Sequence, residues 1–167
     1  MDFKELTETR YSSRAYRDTP VEMDKIECIL EAGRRAPTAK NLQPVKVIAV
    51  TSEDGLSRIS KTANIYGAPL AFIVCGDTEE CFERKFDGMK FYQVDATIAT
   101  TQMMNQPTDL GLGRVWIGWN DPRVISEEFG LPGNLFPVNI LAVGYRDDET
   151  SRNKGNRKPM KEFAEFC

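Results

Sequence analysis

Between Arg10 and Arg17 the chain reads RYSSRAYR, placing three arginines and the hydroxyls of Ser12 and Ser13 among Tyr11 and Tyr16 within eight positions. Guanidinium forks and short hydroxyl donors are the groups that hold a phosphate dianion, each charge-assisted hydrogen bond contributing about 1.5–3 kcal/mol. On this stretch alone two readings stand: a phosphate site, or a solvated loop with ordinary surface ion pairs. Nucleic acid would accept the same groups. However, 22 Lys plus Arg against 25 Asp plus Glu gives a net charge of −3, which offers no broad attraction to a polyanion. Any anion site is local.

A second group lies in RRAPTAKNLQPVKV (34–47), where a helix stops at a proline and Asn41 and Gln43 precede Pro44 and a strand. Two amides on a constrained loop suit the carbonyl and N–H edge of a flat heterocycle, although such residues also serve simply as turn formers. Near the other end, NRKPMKEF brings Arg157 and Lys158, a charge run whose default is a solvated face. The GLGRVW stretch is no dinucleotide fingerprint, because Trp116 stands where the third glycine belongs and the glycines precede a strand. Gly111 and Gly113 are better explained as ending a helix and turning the chain.

The chain has no histidine, and Cys28, Cys75, Cys81 and Cys167 form no CxxC pair. Zinc and haem ligation, a Cys-His nucleophile, a Ser-His-Asp triad and a histidine base are all unexpected on that composition. Any chemistry then belongs to a cofactor.

The elements that must position these groups follow from periodicity and caps. Asp2 is a candidate N-cap for a short helix over 2–9, so the arginine cluster falls in the loop after it. Ile26, Ile29, Leu30 and Gly33 share one face of a helix that Asp24 would cap and that stops before Pro37. VKVIAV (45–50), PLAFIVCG (69–76), RVWIGW (114–119) and PVNILAVGY (137–145) read as strands, with EDGLSRIS a modest helix after the first. From about Asp95 a nearly uncharged segment predicts a helix buried on most sides, with Pro107 breaking or kinking its last turn. Asp121-Pro122 opens a further helix that Gly130 closes. At 167 residues one domain, 1–167, is expected, with an α/β or α+β sandwich and the topology open. Apolar runs are too short for a bilayer and the N-terminus has no apolar leader, so a soluble cytoplasmic protein is expected. The stretch 146–167 turns polar and basic before Phe163 and Phe166, as an arm that docks elsewhere would.

RYSSRAY, APTAKNLQP, the Asp-led helix running into LGLG, the WIG strand end, PVNILAVGY and the closing RKP occur in this order over nearly the whole chain. Together they resemble the nitroreductase-like family of FMN-dependent oxidoreductases. The resemblance implies an α+β three-layer sandwich with a central, mostly antiparallel sheet flanked by helices. It also implies an intertwined homodimer with FMN at the subunit interface and NAD(P)H as electron donor. By matching motif positions, Arg10, Ser12 and Arg14 would hold the FMN phosphate, with Arg157 arriving from the C-terminal arm. Pro37, Thr38, Ala39 and Asn41 would reach the flavin from the other subunit. Trp116, Ile117 and Gly118 would lie along the isoalloxazine, and Gln43 and Lys158 are further carry-overs. The 146–167 arm would contact the partner subunit.

What the resemblance implies chemically is ping-pong transfer of hydride from NAD(P)H through flavin N5 to a nitroaromatic, quinone or similar small acceptor, with no catalytic side chain nominated. The alternative is a non-catalytic FMN-binding or redox-sensing protein. Two departures stand out. Pro107-Thr108 interrupts a helix that relatives continue, and no segment stands out as the insertion that covers the substrate pocket in larger members.

Overall fold

The computed structural model of the chain describes residues 2–147 and 157–167. Its centre is a four-stranded sheet of β1 (Val45–Val50), β2 (Leu70–Asp77), β5 (Gly113–Ile117) and β6 (Leu135–Gly144), ordered β1-β2-β6-β5. Every pairing in it is antiparallel. β2 and β6 are apolar at almost every position, as strands covered on both faces must be. Strand alternation divides the core in two. Phe72, Val74, Leu141 and Val143 pack on α2 (Met23–Arg34) and α4 (Tyr92–Asp109). Ala71, Ile73, Cys75, Ile140 and Ala142 pack on the opposite side with Ile59 of α3 (Glu53–Ser60) and Ile125 of α5 (Pro122–Phe129). The expected three-layer α+β sandwich is therefore the fold.

α2 and α4 cross closely at Gly33, where a Cβ would stand 2.6 Å from Met103 Cγ. The caps on α1 (Phe3–Thr9) and α5 are as read from the sequence. Glu5 N donates to Asp2 Oδ1 at 2.8 Å, Arg123 N donates to Asp121 Oδ1 at 2.9 Å, and Gly130 closes α5 in the left-handed region at φ 59°. Asp24, by contrast, is not a cap. α2 begins one residue earlier, after Glu22, which makes no side-chain capping bond.

Other expectations change. α4 begins at Tyr92, before Asp95, and runs through Pro107 to Asp109. In this one chain it is buried along a stripe of Asp95, Ala96, Ala99, Thr100, Met103 and Pro107, and not on most sides. Gln93, Thr97, Thr101 and Gln102 remain exposed. Arg17 pairs at 3.9 Å with Asp147, and both members are exposed. A hairpin of β3 (Glu83–Arg84) and β4 (Met89–Lys90) between β2 and α4 went unread in the sequence. Its strands are two residues each, too short for a period-2 signal. Of the C-terminal stretch, 148–156 lies outside the described residues, and α6 (Met160–Phe163) with Phe163 and Phe166 is exposed.

Candidate functional site

Residues 11–17 leave α1 as extended chain along the open edge of β5 and the end of β6. Ser13 N donates to Arg114 O at 3.0 Å, Arg17 N to Tyr145 O at 2.8 Å, and Asp147 N to Ala15 O at 3.1 Å. Extended backbone turns alternate side chains to opposite sides. Tyr11 and Ser13 are buried at 5% and 0% exposure, while Arg10, Ser12 and Arg14 keep to the accessible side. The alternation explains why three of the five polar groups in RYSSR share one face. Arg14 leans over Tyr66, its guanidinium carbon 6.0 Å from the ring centroid, and Nη1 donates to Ser12 O at 3.4 Å.

Beneath this segment lies a charge that sequence reading passed over. Arg114 is 2% exposed, and its guanidinium donates from Nε to Met104 O at 3.0 Å and from Nη2 to Thr108 Oγ1 at 2.5 Å. Burial, and then the charge of Arg10 with a smaller part from Arg146, lowers its pKa to about 10. Arg10 is lowered too, by burial and then by the charge of Arg157. Arg146 spans Tyr11, with Nη1 3.3 Å from the hydroxyl and the guanidinium 5.5 Å from the ring centroid. Among the described residues no carboxylate pairs with Arg10, Arg114, Arg146 or Arg157. Ser13 Oγ is buried without a hydrogen-bond partner there. Four guanidinium groups without a paired carboxylate, among which Arg10 and Arg114 are lowered by burial and then by a neighbouring arginine's charge, concentrate positive charge at one corner even in a chain of net negative charge.

The 37–43 loop is built differently. A 3-10 turn, Ala39–Asn41, follows Thr38, and Lys40, Asn41 and Gln43 all hold positive φ, at 53°, 56° and 55°. Such angles in non-glycine residues need external support. Asp95, 1% exposed, supplies it by accepting from Ala39 N at 3.0 Å, and Thr38 Oγ1 accepts from Gln43 N at 3.0 Å. Pro37, Asn41 and Gln43 are exposed, with Gln43 Nε2 3.2 Å from Asn41 O. At the far end of β5, Trp116 is half-buried, Ile117 is buried and Gly118 is exposed, with nothing within 4 Å of where a Cβ would stand. Lys158 is exposed.

Within one chain these groups do not converge. Arg114 is paired with Val143 on β6, whereas Val45, just after the loop, is paired through Gly76 to Phe136 at the other end of β6. Seven residues along β6 and three strand spacings across the sheet separate the arginine cluster from the loop by about 25 Å. Of the residues singled out in the sequence, Arg10, Ser12, Arg14 and Arg157 gather at one corner. Pro37, Thr38, Ala39, Asn41 and Gln43 gather at the diagonal corner. The missed members are Arg114, Arg146 and Asp95. For Arg114 the available signal was a charge inside an otherwise apolar strand.

A sandwich of this topology, with this corner-to-corner division of polar loops, places the chain in a known class. The model of the nitroreductase family matches residues 7–68 and 60–145, and the chain belongs to that family. A nitroreductase family protein of Clostridium difficile 630 is 44% identical and superposes with a TM-score of 0.94, over 99% of this chain and 98% of that one. An FMN-dependent nitroreductase of Clostridium difficile R20291 is 26% identical, with a TM-score of 0.76 over 92% and 96% of the two chains. An FMN reductase (NAD(P)H) of Bacillus subtilis strain 168 is 32% identical over 89% of this chain and 67% of its own length.

Proposed function

We propose that the protein is an FMN-dependent, NAD(P)H-linked oxidoreductase that acts as a homodimer on a nitroaromatic, quinone or similar small acceptor. The observation that carries the proposal is the uncompensated cluster of Arg10, Arg114, Arg146 and Arg157 beside the open face of Ser12 and Arg14. A monoester phosphate carries close to two negative charges at neutral pH, so the donor set fits the phosphate of FMN in both charge and chemistry. The names of the two relatives that mention FMN support the same choice.

The 25 Å separation supports the second half of the proposal. One flavin contacted by both corners needs the 37–43 loop of a second copy, a two-fold arrangement in which each interface site takes residues from both subunits. The exposed, uncharged stretch of α4 at Gln93, Thr97, Thr101 and Gln102 and the exposed rings of Phe163 and Phe166 are surfaces such a pairing would cover. We assign the C-terminal stretch 146–167 of the single 1–167 domain to the partner's surface.

Bound FMN would supply the redox chemistry, taking hydride from NAD(P)H and passing it to the acceptor in two separate half-reactions. The chain's own part is placement. Arg10, Ser12, Arg14 and Arg157 hold the phosphate, with Lys158 beside them. Pro37, Thr38, Ala39, Asn41 and Gln43 of the partner's copy meet the polar edge of the ring system. Trp116, Ile117 and Gly118 line its other side, where the open space at Gly118 leaves its backbone approachable. No acid–base dyad is called for.

The test is a visible spectrum of protein incubated with FMN and desalted, followed by NAD(P)H oxidation with menadione or a nitroaromatic as acceptor. Stoichiometric flavin and steady oxidation are expected. A yellow protein inert to both pyridine nucleotides and to a panel of acceptors would establish the alternative, a flavin-binding or redox-sensing protein. A colourless one would overturn the FMN assignment.

A further inference from the structure

Pro107-Thr108 in the last turns of α4 and the buried charge of Arg114 belong together. Arg114 points from β5 into the last turns of α4, where proline removes a backbone donor and the helix end carries partial negative charge. Met104 O and Thr108 Oγ1 take two of its N–H groups, fixing the guanidinium in place. A buried cation normally has a carboxylate beside it. This one has instead two further arginines within electrostatic reach, Arg10 and Arg146. Its own main chain also carries the anion loop, since Arg114 O accepts from Ser13 N.

We propose that Arg114, held by Thr108, is a positioning residue of the anion site: an immobile positive charge behind Arg10 that strengthens binding of the phosphorylated flavin and discriminates against the unphosphorylated one. The inference rests on the FMN reading above, and goes beyond it in naming a residue that touches no part of the flavin. Arg10 is only half-buried and Arg157 is exposed, so ordering them on a ligand costs side-chain entropy. Arg114 has already been ordered by its two hydrogen bonds, so its field costs no reorganisation when the anion arrives. Mutual repulsion among the four arginines works against the ligand-free fold, and a bound dianion relieves it. Anion binding and folding are therefore linked, each favouring the other.

The experiment measures dissociation constants of FMN and riboflavin by flavin fluorescence quenching. In parallel, the melting temperature of flavin-free protein is recorded in inorganic phosphate against chloride at equal ionic strength. The proteins are wild type, Arg114→Met, Arg114→Lys and Thr108→Val. Arg114→Met is expected to weaken FMN about tenfold or more, leave riboflavin unchanged and abolish the phosphate-dependent rise in melting temperature. Arg114→Lys should restore part of the loss. Thr108→Val should lose FMN affinity in the same direction by less.

FMN affinity equal to wild type in a folded Arg114→Met protein would overturn the proposal, as would an equal loss for FMN and riboflavin, the mark of a merely structural role. If Arg114→Met does not fold, Thr108→Val decides, and unchanged FMN affinity there counts against the proposal. If wild type binds no flavin, the FMN reading fails by itself. A phosphate-dependent stabilisation present in wild type and lost in Arg114→Met would still uphold the role of Arg114 toward anions, and its absence from wild type would overturn that too.

Discussion

The main-chain N–H of Ala39 donates to Asp95 Oδ1 at 3.0 Å, joining the 37–43 loop to the first turn of α4 across 56 positions of sequence. Asp95 is buried, its second oxygen has no partner among the described residues, and three of the next four residues after Ala39 hold positive φ. The carboxylate therefore holds a loop whose backbone angles would not persist alone. Asp95→Ala is expected to cost about 1–3 kcal/mol in urea unfolding and to speed proteolysis at Lys40. Asp95→Asn, which keeps Oδ1 as an acceptor, should lose distinctly less. An Asp95→Ala protein as stable and as protease-resistant as wild type would show that the loop is held by something else.

Arg10 and Arg14 lie on the accessible face of the extended segment while Tyr11 and Ser13 anchor it from beneath. Replacing both arginines with alanine should thus remove the flavin and leave the far-ultraviolet dichroism and melting cooperativity intact. Stoichiometric FMN surviving a desalting column in that double variant would refute the phosphate assignment.

Two glycines on either end of β5 separate fold from site. At Gly113 a Cβ would collide with Arg146 Cγ and stand 2.6 Å from Ser13 Oγ, whereas at Gly118 it would meet nothing within 4 Å. Gly113→Ala should destabilise by about 1–3 kcal/mol by pushing the arginine segment off the strand. Gly118→Ala should stay within about 0.5 kcal/mol of wild type yet slow NAD(P)H oxidation, because its added methyl projects where the flavin is proposed to lie. Equal stability of the two variants in thermal melts would contradict the packing described for Gly113.

Cys75 is fully buried in the sheet, and burial pushes its thiol up to about 12 from an ordinary value of 9.0. The unfolded chain ionises this thiol first. Its contribution to stability is therefore complete below pH 9 and declines as pH rises from 9 toward 12, by at most about 4 kcal/mol. Cys75→Ala should show a shallower loss of stability over that window than wild type. In native protein a thiol reagent should modify Cys28 and Cys167, both exposed, long before Cys75. Labelling of Cys75 at the same rate would mean that this part of the sheet opens readily.

Local signals were legible where local physics decides. The Asp2 cap, the Asp121-Pro122 start with its Gly130 stop, and the apolar runs of β1, β2, β5 and β6 all follow from residue-by-residue preferences. The Glu22 start of α2 did not, because Glu22 makes no side-chain capping bond that a sequence rule could anticipate, and Asp24 falls inside the first turn, where it has no capping role to play. Nor did the β3–β4 hairpin, whose turn is closed by the Arg84–Asp87 pair and Gly88 at φ 71°. The 3-10 turn at Ala39–Asn41 was hidden for a related reason: no composition rule announces positive φ at lysine, asparagine and glutamine when a distant carboxylate enforces it.

By itself, the sequence determined that the chain carries no histidine and no CxxC pair, that helices alternate with short apolar strands, and that arginines and hydroxyls share RYSSR, because side-chain type and period are properties of the chain. Tertiary structure alone decided that Arg114 and Arg146 join Arg10, that Asp95 clamps Ala39, and that the arginine and amide corners stand about 25 Å apart. Those relationships depend on strand order and register. Antiparallel pairing of β6 with both β2 and β5 brings residues more than a hundred positions apart to one corner and carries neighbours in the motif order to opposite ends of the sheet.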